Sequence, residues 1–404
     1  MTDSTRPAPI AALAALYLLY LGAIGVFATY VPLHLAAVGL SASQIGLLFS
    51  GRSTFNLVSQ PMVTSFADRI GRPDRVVQFC LFGALLVASL GPWASEVEPR
   101  WRFAAWAVVF WAMAPLSSSV VPLIDAEIVR ARGSRGYGRV RLWGSVGFGT
   151  FVWGFGALTG HLDESIAGGL SVGVLIALLG VAALVSWRLP AGRGRQPTDP
   201  PPVPGRRLIT PVFASFLLCH LLHWASVTAY NLFLSLHVAE HGWSTAVTGQ
   251  AVAVAIVAEI IGFRLATRLV GDDGERMLPL VFAVSAARWI ATALAPSAFV
   301  LVALQAAHVL GFGLWYASAI AAMGRFAPLS LRSTLQGTFA AVVFAGGGIL
   351  GSAAGGALID AFGTRGAFFG AAGADVAALI VALIAIPAWR RVTPPLDEPS
   401  AAAP

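Results

Sequence analysis

The chain has 404 residues, 57% of them hydrophobic and only 11% charged, against about a quarter charged in soluble domains. That composition excludes a soluble globular domain. The apolar blocks also lack the period-2 alternation of an outer-membrane barrel, which leaves an all-α integral membrane bundle. The formal charge of +7 comes from 26 basic residues, every one an Arg, so no lysine chemistry is available. The arginines fall at the margins of apolar segments, where topology explains them without nucleic acid.

A span needs roughly 20 apolar residues, and twelve candidates follow in order: 10–36, 43–66, 76–94, 101–128, 137–160, 167–188, 208–237, 245–270, 277–295, 298–325, 332–361 and 366–389. The first follows Arg6 with no small-residue cleavage site after it, so it reads as a retained helix. Cys80 and Cys219 lie inside apolar spans without metal-ligand spacing and read as packing residues. Most links are short. The exception is 189–207, a Pro/Gly/Arg-rich cytoplasmic linker that cannot pack a core; it separates a six-helix half at 1–188 from another at 208–391, with a disordered tail at 392–404.

With both termini cytoplasmic, the inner links and tails hold 19 arginines and the outer links three, Arg100, Arg102 and Arg365. That asymmetry follows the positive-inside rule. The halves echo each other: Gly39-Leu-Ser-Ala-Ser-Gln-Ile-Gly46 is similar to Gly242-Trp-Ser-Thr-Ala-Val-Thr-Gly249. Two parallel six-helix repeats are an arrangement of secondary transporters.

Between spans 2 and 3, Thr64-Ser-Phe-Ala-Asp-Arg-Ile-Gly-Arg72 resembles the loop signature G-x-L-A-D-R-x-G-R of the major facilitator superfamily, with Thr64 in place of the leading Gly. Tyr17-Leu-Leu-Tyr20, Gln60-Pro61 and Tyr137-Gly-Arg-Val-Arg-Leu-Trp-Gly-Ser-Val-Gly-Phe148 narrow the resemblance. They look like the branch containing lactose permease, nucleoside–proton symporters and phenylpropionate permeases, over about residues 13–390. The resemblance implies a twelve-helix bundle in two pseudo-symmetric halves, a monomer in the inner membrane, and a gating role for Asp68, Arg69, Gly71 and Arg72. It also implies that Asp125, near the end of span 4, and Arg141, at the start of span 5, contact substrate. Arg288, His308 and Glu259 match residues that manage a proton in lactose permease, while the helix-10 carboxylate of that set would fall at Gly311.

The residues carry alternatives of their own. An Asp125–Arg141 pair either holds a polar solute by exchanging hydrogen-bond partners or pins a structural hairpin. Glu127, about 200° further round the helix, cannot share that face and reads as an interface residue paired with Arg130 or Arg139. Glu259 lies roughly 20 Å into span 8 at 1.5 Å per residue. It is either a proton carrier or the fixed partner of Arg264 or Arg288. Arg288 and His308 lie at similar depth and form either a three-way switch with Glu259 or a buried hydrogen-bonded cluster. His220 and His223, with Tyr230 and Asn231 beyond them, line the cavity in this architecture; His223 and Asn231 are candidate substrate contacts. Arg52, about mid-span and with no carboxylate on its own helix, needs a partner from another helix or an anionic ligand. Asp375 reads as an interhelical hydrogen-bond residue.

The leading expectation is a proton-coupled symporter of a small polar or anionic organic solute, with the proton as coupling ion and no cofactor. The alternatives are an efflux antiporter or uniporter, or a non-transporting sensor. An embedded enzyme is the disfavoured reading.

Overall fold

The computed structural model describes residues 10–189, 191, 210–271, 273–326 and 332–392, with only the backbone at 130–136 and 332–334. Apart from their margins, the expected linker at 189–207 and tail at 392–404 lie outside the described residues. Among the described residues all regular structure is helical. The first part of the chain forms α1 (Ile10–Ala37), α2 (Ala42–Ile70), α3 (Pro73–Ala88), the short α4 (Gly91–Glu96), α5 (Pro99–Ser118), α6 (Val120–Thr159) and α7 (Glu164–Ser186). The second part forms α8 (Pro211–Glu240), α9 (Thr245–Leu269), α10 (Leu278–Ala293), α11 (Ala298–Leu304), α12 (Trp315–Met323), α13 (Arg332–Phe339), α14 (Gly347–Phe362) and α15 (Thr364–Arg390). Nine stretches among the described residues are long and apolar enough to cross a membrane. Large apolar side chains such as Phe79, Leu158, Phe299 and Ile384 stand exposed on them, as suits a lipid-facing surface.

Local chemistry sets the helix ends. Ser41 caps α2 by accepting from the Gln44 N–H at 3.2 Å, while Gln44 Oε1 accepts from the Ser41 N–H at 3.0 Å, a reciprocal capping box. The helix stops at Gly71, whose φ of 62° is left-handed and whose N–H reaches Asp68 O at 3.2 Å. Pro73 then opens α3, where its missing N–H costs nothing. The signature loop is therefore a glycine-terminated turn leading directly into the next helix.

The expected link at 129–136 keeps a helical backbone, and Pro99–Val129, close to the expected span 101–128, is one membrane-length stretch with a break at Ser119. Pro115 and Pro122 each remove a helix donor on either side of that point, and Ser119 Oγ turns aside to donate to Gln60 O at 3.4 Å. Nor is α6 one straight rod. Asp125 accepts a hydrogen bond from the Tyr137 hydroxyl, whereas a straight helix would separate the two by about 18 Å along its axis. The chain therefore folds back within α6, so its two arms run as neighbours.

By internal contacts the chain resolves into two compact units, residues 1–201 with 231–253 and residues 202–230 with 254–404. In the first, α1 packs against α6 and α7, and α5 against α2 and α3. In the second, α15 packs against α10 and α14 around a core that includes Phe213, Phe216, Trp315, Phe339 and Trp389. Lipid tails are as apolar as leucine, so close backbone approach and interhelical hydrogen bonds replace the hydrophobic drive between helices. At Gly351 of α14, a Cβ would lie 2.2 Å from Ala225 O of α8. Gly351→Val is thus expected to push these helices apart and to cost about 1–3 kcal/mol, read as a lowered melting temperature of purified protein. The open face at Gly373 of α15, with nothing within 4 Å of a built Cβ, should accept the same change with little effect.

Candidate functional site

In the first unit, α1, α2, α5 and α6 set three candidate residues, Arg52, Asp125 and Arg141, beside aromatic side chains. The Arg52 guanidinium donates from Nη2 to Ser117 Oγ at 3.1 Å and lies 5.1 Å from the Phe27 ring centroid. Its Nε is buried without a partner, and among the described residues no carboxylate pairs with it. Tyr20, one turn above Tyr17 on α1, donates to Ser117 O and helps fix the same corner. Asp125 and Arg141 come within electrostatic reach but form no ion pair. Tyr137 takes one side of the Asp125 carboxyl, Asp125 Oδ1 is buried with no donor, and exposed Arg141 lies 5.5 Å from the Tyr17 ring. The Tyr17 hydroxyl is likewise buried and unmatched. Buried polar atoms are rarely left unpaired, so Arg52 offers a donor, Asp125 an acceptor and Tyr17 a hydroxyl to a polar guest. Glu127 is buried.

The second unit holds a chain of buried polar groups. Gln305 Oε1 accepts from Arg288 Nε at 3.1 Å and Nη2 at 2.6 Å, and Arg288 Nη1 donates to His308 Nδ1 at 2.7 Å. A guanidinium only donates, so Nδ1 is the acceptor and the His308 hydrogen sits on Nε2. That nitrogen faces Glu259 Oε2 at 3.9 Å, beyond a hydrogen bond. Tyr230 caps the cation, its ring centroid 4.7 Å from the guanidinium carbon. Glu259, Arg288 and His308 are thus assembled, with Arg288 between Gln305 and His308 and not on Glu259. Arg264, the other partner considered for Glu259, is exposed. A π-helical stretch at Val309–Leu314 carries Gly311, where a Cβ would fall 2.9 Å from His308 Nδ1 and 3.4 Å from Arg288 Nη1. A side chain there would break into the Arg288–His308 bond. Gln305, one turn before His308, escaped the sequence reading, although the i, i+3 spacing of two polar residues in an apolar span was visible.

His223 departs from its expected role. It is fully buried, with Nδ1 2.6 Å from Asp375 Oδ1 and Nε2 2.9 Å from Gly311 O. Both ring nitrogens are taken, so His223 has none left for a substrate. Asp375 is the interhelical residue expected of it, and Trp289 Nε1 donates to its Oδ2 at 2.7 Å. Asn231 is exposed at the point where α8 passes into the first unit. In the signature loop, Arg72 grips Asp74 through Nε at 3.0 Å and Nη2 at 2.8 Å, while Asp68 and Arg69 are exposed and form no ion pair among the described residues. The motif therefore splits into a fixed Arg72–Asp74 clamp and two free charges.

The chain resembles known proteins throughout its length. A profile described as the MFS_1 like family matches residues 10–369. The maltose permease of Geobacillus stearothermophilus is 29% identical over 311 residues, 75% of either chain. The probable 3-phenylpropionic acid transporter of Escherichia coli (strain K12) is 28% identical over 294 residues, 68% of this chain and 71% of that one. Among solved structures, the nucleoside transporter NupG superposes with a TM-score of 0.77 at 14% identity, covering 93% of this chain and 98% of that one. A D-xylose-proton symporter gives 0.70 at 10% identity, covering 93% and 96%. At such identities the structures speak for the fold alone. With the helical bundle, the in-span charges and the profile in agreement, the chain belongs to the MFS_1-like family of the major facilitator superfamily and is a multi-pass membrane transporter, not an enzyme.

Proposed function

We propose that the protein is a proton-coupled symporter of a small organic solute, working by alternating access in the inner membrane as a monomer with both termini cytoplasmic. The halves at 1–188 and 208–391 are its moving parts. The observation that carries the reading is the set of unmet groups in the first unit: Arg52 with no carboxylate partner among the described residues and a buried, partnerless Nε, and the buried, unpaired Asp125 Oδ1 and Tyr17 hydroxyl. An arginine fork binds a carboxylate through paired, charge-assisted hydrogen bonds, which places an aromatic or other organic acid first among solutes. The similarity to a probable 3-phenylpropionic acid transporter supports that order. A sugar fits the Asp125 acceptor and Arg141 donors, in line with the similarity to a maltose permease, and a nucleoside offers the same hydroxyls. Coupling falls to Glu259, with Arg288 and His308 positioned beside it.

The test is uptake into proteoliposomes under an inward proton gradient, with 3-phenylpropionate, maltose and uridine as probes. Accumulation of 3-phenylpropionate above its outside concentration is the expected result; equilibration without accumulation of any probe would replace symport by uniport. That second reading has its own support, since Gly311 stands where the coupling set of lactose permease has a carboxylate.

A further inference from the structure

We propose that the buried His223–Asp375 pair is a proton-binding site of the transport cycle, a second one beside Glu259; this deepens the proton-coupling reading and rests on it. Four helical segments build the site. His223 comes from α8, Trp289 from α10, Gly311 from the π-helical stretch after α11, and Asp375 from α15. Both side chains of the pair are wholly buried. Gly311 O can only accept, so His223 Nε2 keeps its hydrogen. One further proton lies in the 2.6 Å contact between Nδ1 and Asp375 Oδ1, and without it a lone pair would face a carboxylate oxygen. The other oxygen, Oδ2, accepts from Trp289 Nε1 at 2.7 Å, and the Ser226 hydroxyl lies 2.7 Å from both Oδ2 and His223 O, sharing one hydrogen between them. These donors stabilise a charged carboxylate and so an imidazolium opposite it. The packed site holds one exchangeable proton, with every other hydrogen-bonding position filled.

The π-helical turn contributes directly. The Trp315 N–H, which in an α-helix would bond Gly311 O, reaches Leu310 O instead. Such turns recur at functional sites. The titratable and charged groups around the pair are His220 and Tyr230 on α8, Arg288 on α10 and His308 on the α11 side. Arg288 acts on Asp375, and His220 and His308 act on His223, through space. His220 Nε2 has no partner of its own, while His220 Nδ1 is held by Phe216 O at 2.7 Å.

The position of the pair gives it a reason to move. The division between the two compact units falls within α8, after Tyr230, two turns beyond His223. His223 and Asp375 belong to the same unit, so it is a local parting of α8 from α15 that draws them apart. The Nδ1–H bond then breaks, its proton passes to water, and neutral His223 and ionised Asp375 remain until repacking takes a proton back.

Two measurements test this. Nitrogen-15 NMR of histidine-labelled protein in nanodiscs, assigned with His223→Gln, should show an imidazolium at His223 at neutral pH, and this signal should be lost in Asp375→Asn. A neutral ring, or one indifferent to Asp375→Asn, overturns the proposal. In proteoliposomes loaded with 3-phenylpropionate, maltose and uridine, Asp375→Asn should lower accumulation by the roughly tenfold that one proton contributes under one pH unit. It should leave counterflow exchange within about twofold, which also shows the variant folded, and Asp375→Glu should restore part of the accumulation. Undiminished accumulation in Asp375→Asn overturns the proposal. Wild-type protein that exchanges solute without accumulating it refutes proton coupling and this site's role with it. If the wild type moves none of the probes, the solute assignment has failed, and the NMR result alone decides whether the pair carries a proton.

Discussion

Arg52→Met is expected to reduce the apparent affinity for 3-phenylpropionate by about a hundredfold while leaving the melting temperature unchanged or slightly raised. The two effects have opposite causes. A hydrogen bond to a charged group contributes about 1.5–3 kcal/mol, so losing a two-pronged contact to a carboxylate removes roughly 3 kcal/mol, or two decades of affinity. In the free protein, Arg52 holds a cation among Phe27, Tyr20 and Ser117 with a partnerless Nε and no counter-charge. Replacing such a group with an apolar one of similar length relieves a desolvation penalty, against the loss of one bond to Ser117 of about 1 kcal/mol. Arg52→Lys keeps the charge but not the fork and should fall between. Uptake kinetics and thermal unfolding of the same preparations check the pattern. A large drop in melting temperature would make Arg52 a structural residue, and unchanged uptake would remove it from the solute site.

The membrane fold was legible because hydrophobic run length is a local property: roughly 20 residues of apolar chain announce a span wherever it packs. The signature loop was legible for a similar reason, since Gly71 supplies the left-handed turn and Pro73 the following helix start. What was not legible depends on distant partners. His223 was assigned to a cavity from its place on α8, yet Asp375, 152 residues away, occupies its Nδ1. Asp125 and Arg141 are neighbours as expected, but Tyr137 and Tyr17 intervene as partners. The π-helical stretches at Val309–Leu314 and Ala340–Gly346 have no signature in an apolar pattern, because one inserted residue shifts register without changing composition. The break at Ser119 inside the fourth span follows from Pro115 and Pro122, which each remove a helix donor, but an apolar run length does not register it.

Glu259→Gln should separate movement of solute from its accumulation. In the second unit the cation Arg288 occupies His308 Nδ1, and the hydrogen on Nε2 points at Glu259 across 3.9 Å. A second proton on His308 would have to displace Arg288 from a 2.7 Å bond that Gln305 helps to hold. Protonation of Glu259 leaves that bond in place. Under a gradient of one pH unit, each coupled proton contributes about 1.4 kcal/mol per cycle, or roughly tenfold in accumulation. In Glu259→Gln the ratio of inside to outside concentration should fall about tenfold, with counterflow preserved, because the amide imitates a permanently protonated carboxyl. His308→Gln should lower accumulation only in part, since it removes a positioning group and leaves the carboxylate. Full accumulation in Glu259→Gln would move coupling off this residue. Complete loss in His308→Gln with normal accumulation in Glu259→Gln would reverse the order of the two roles.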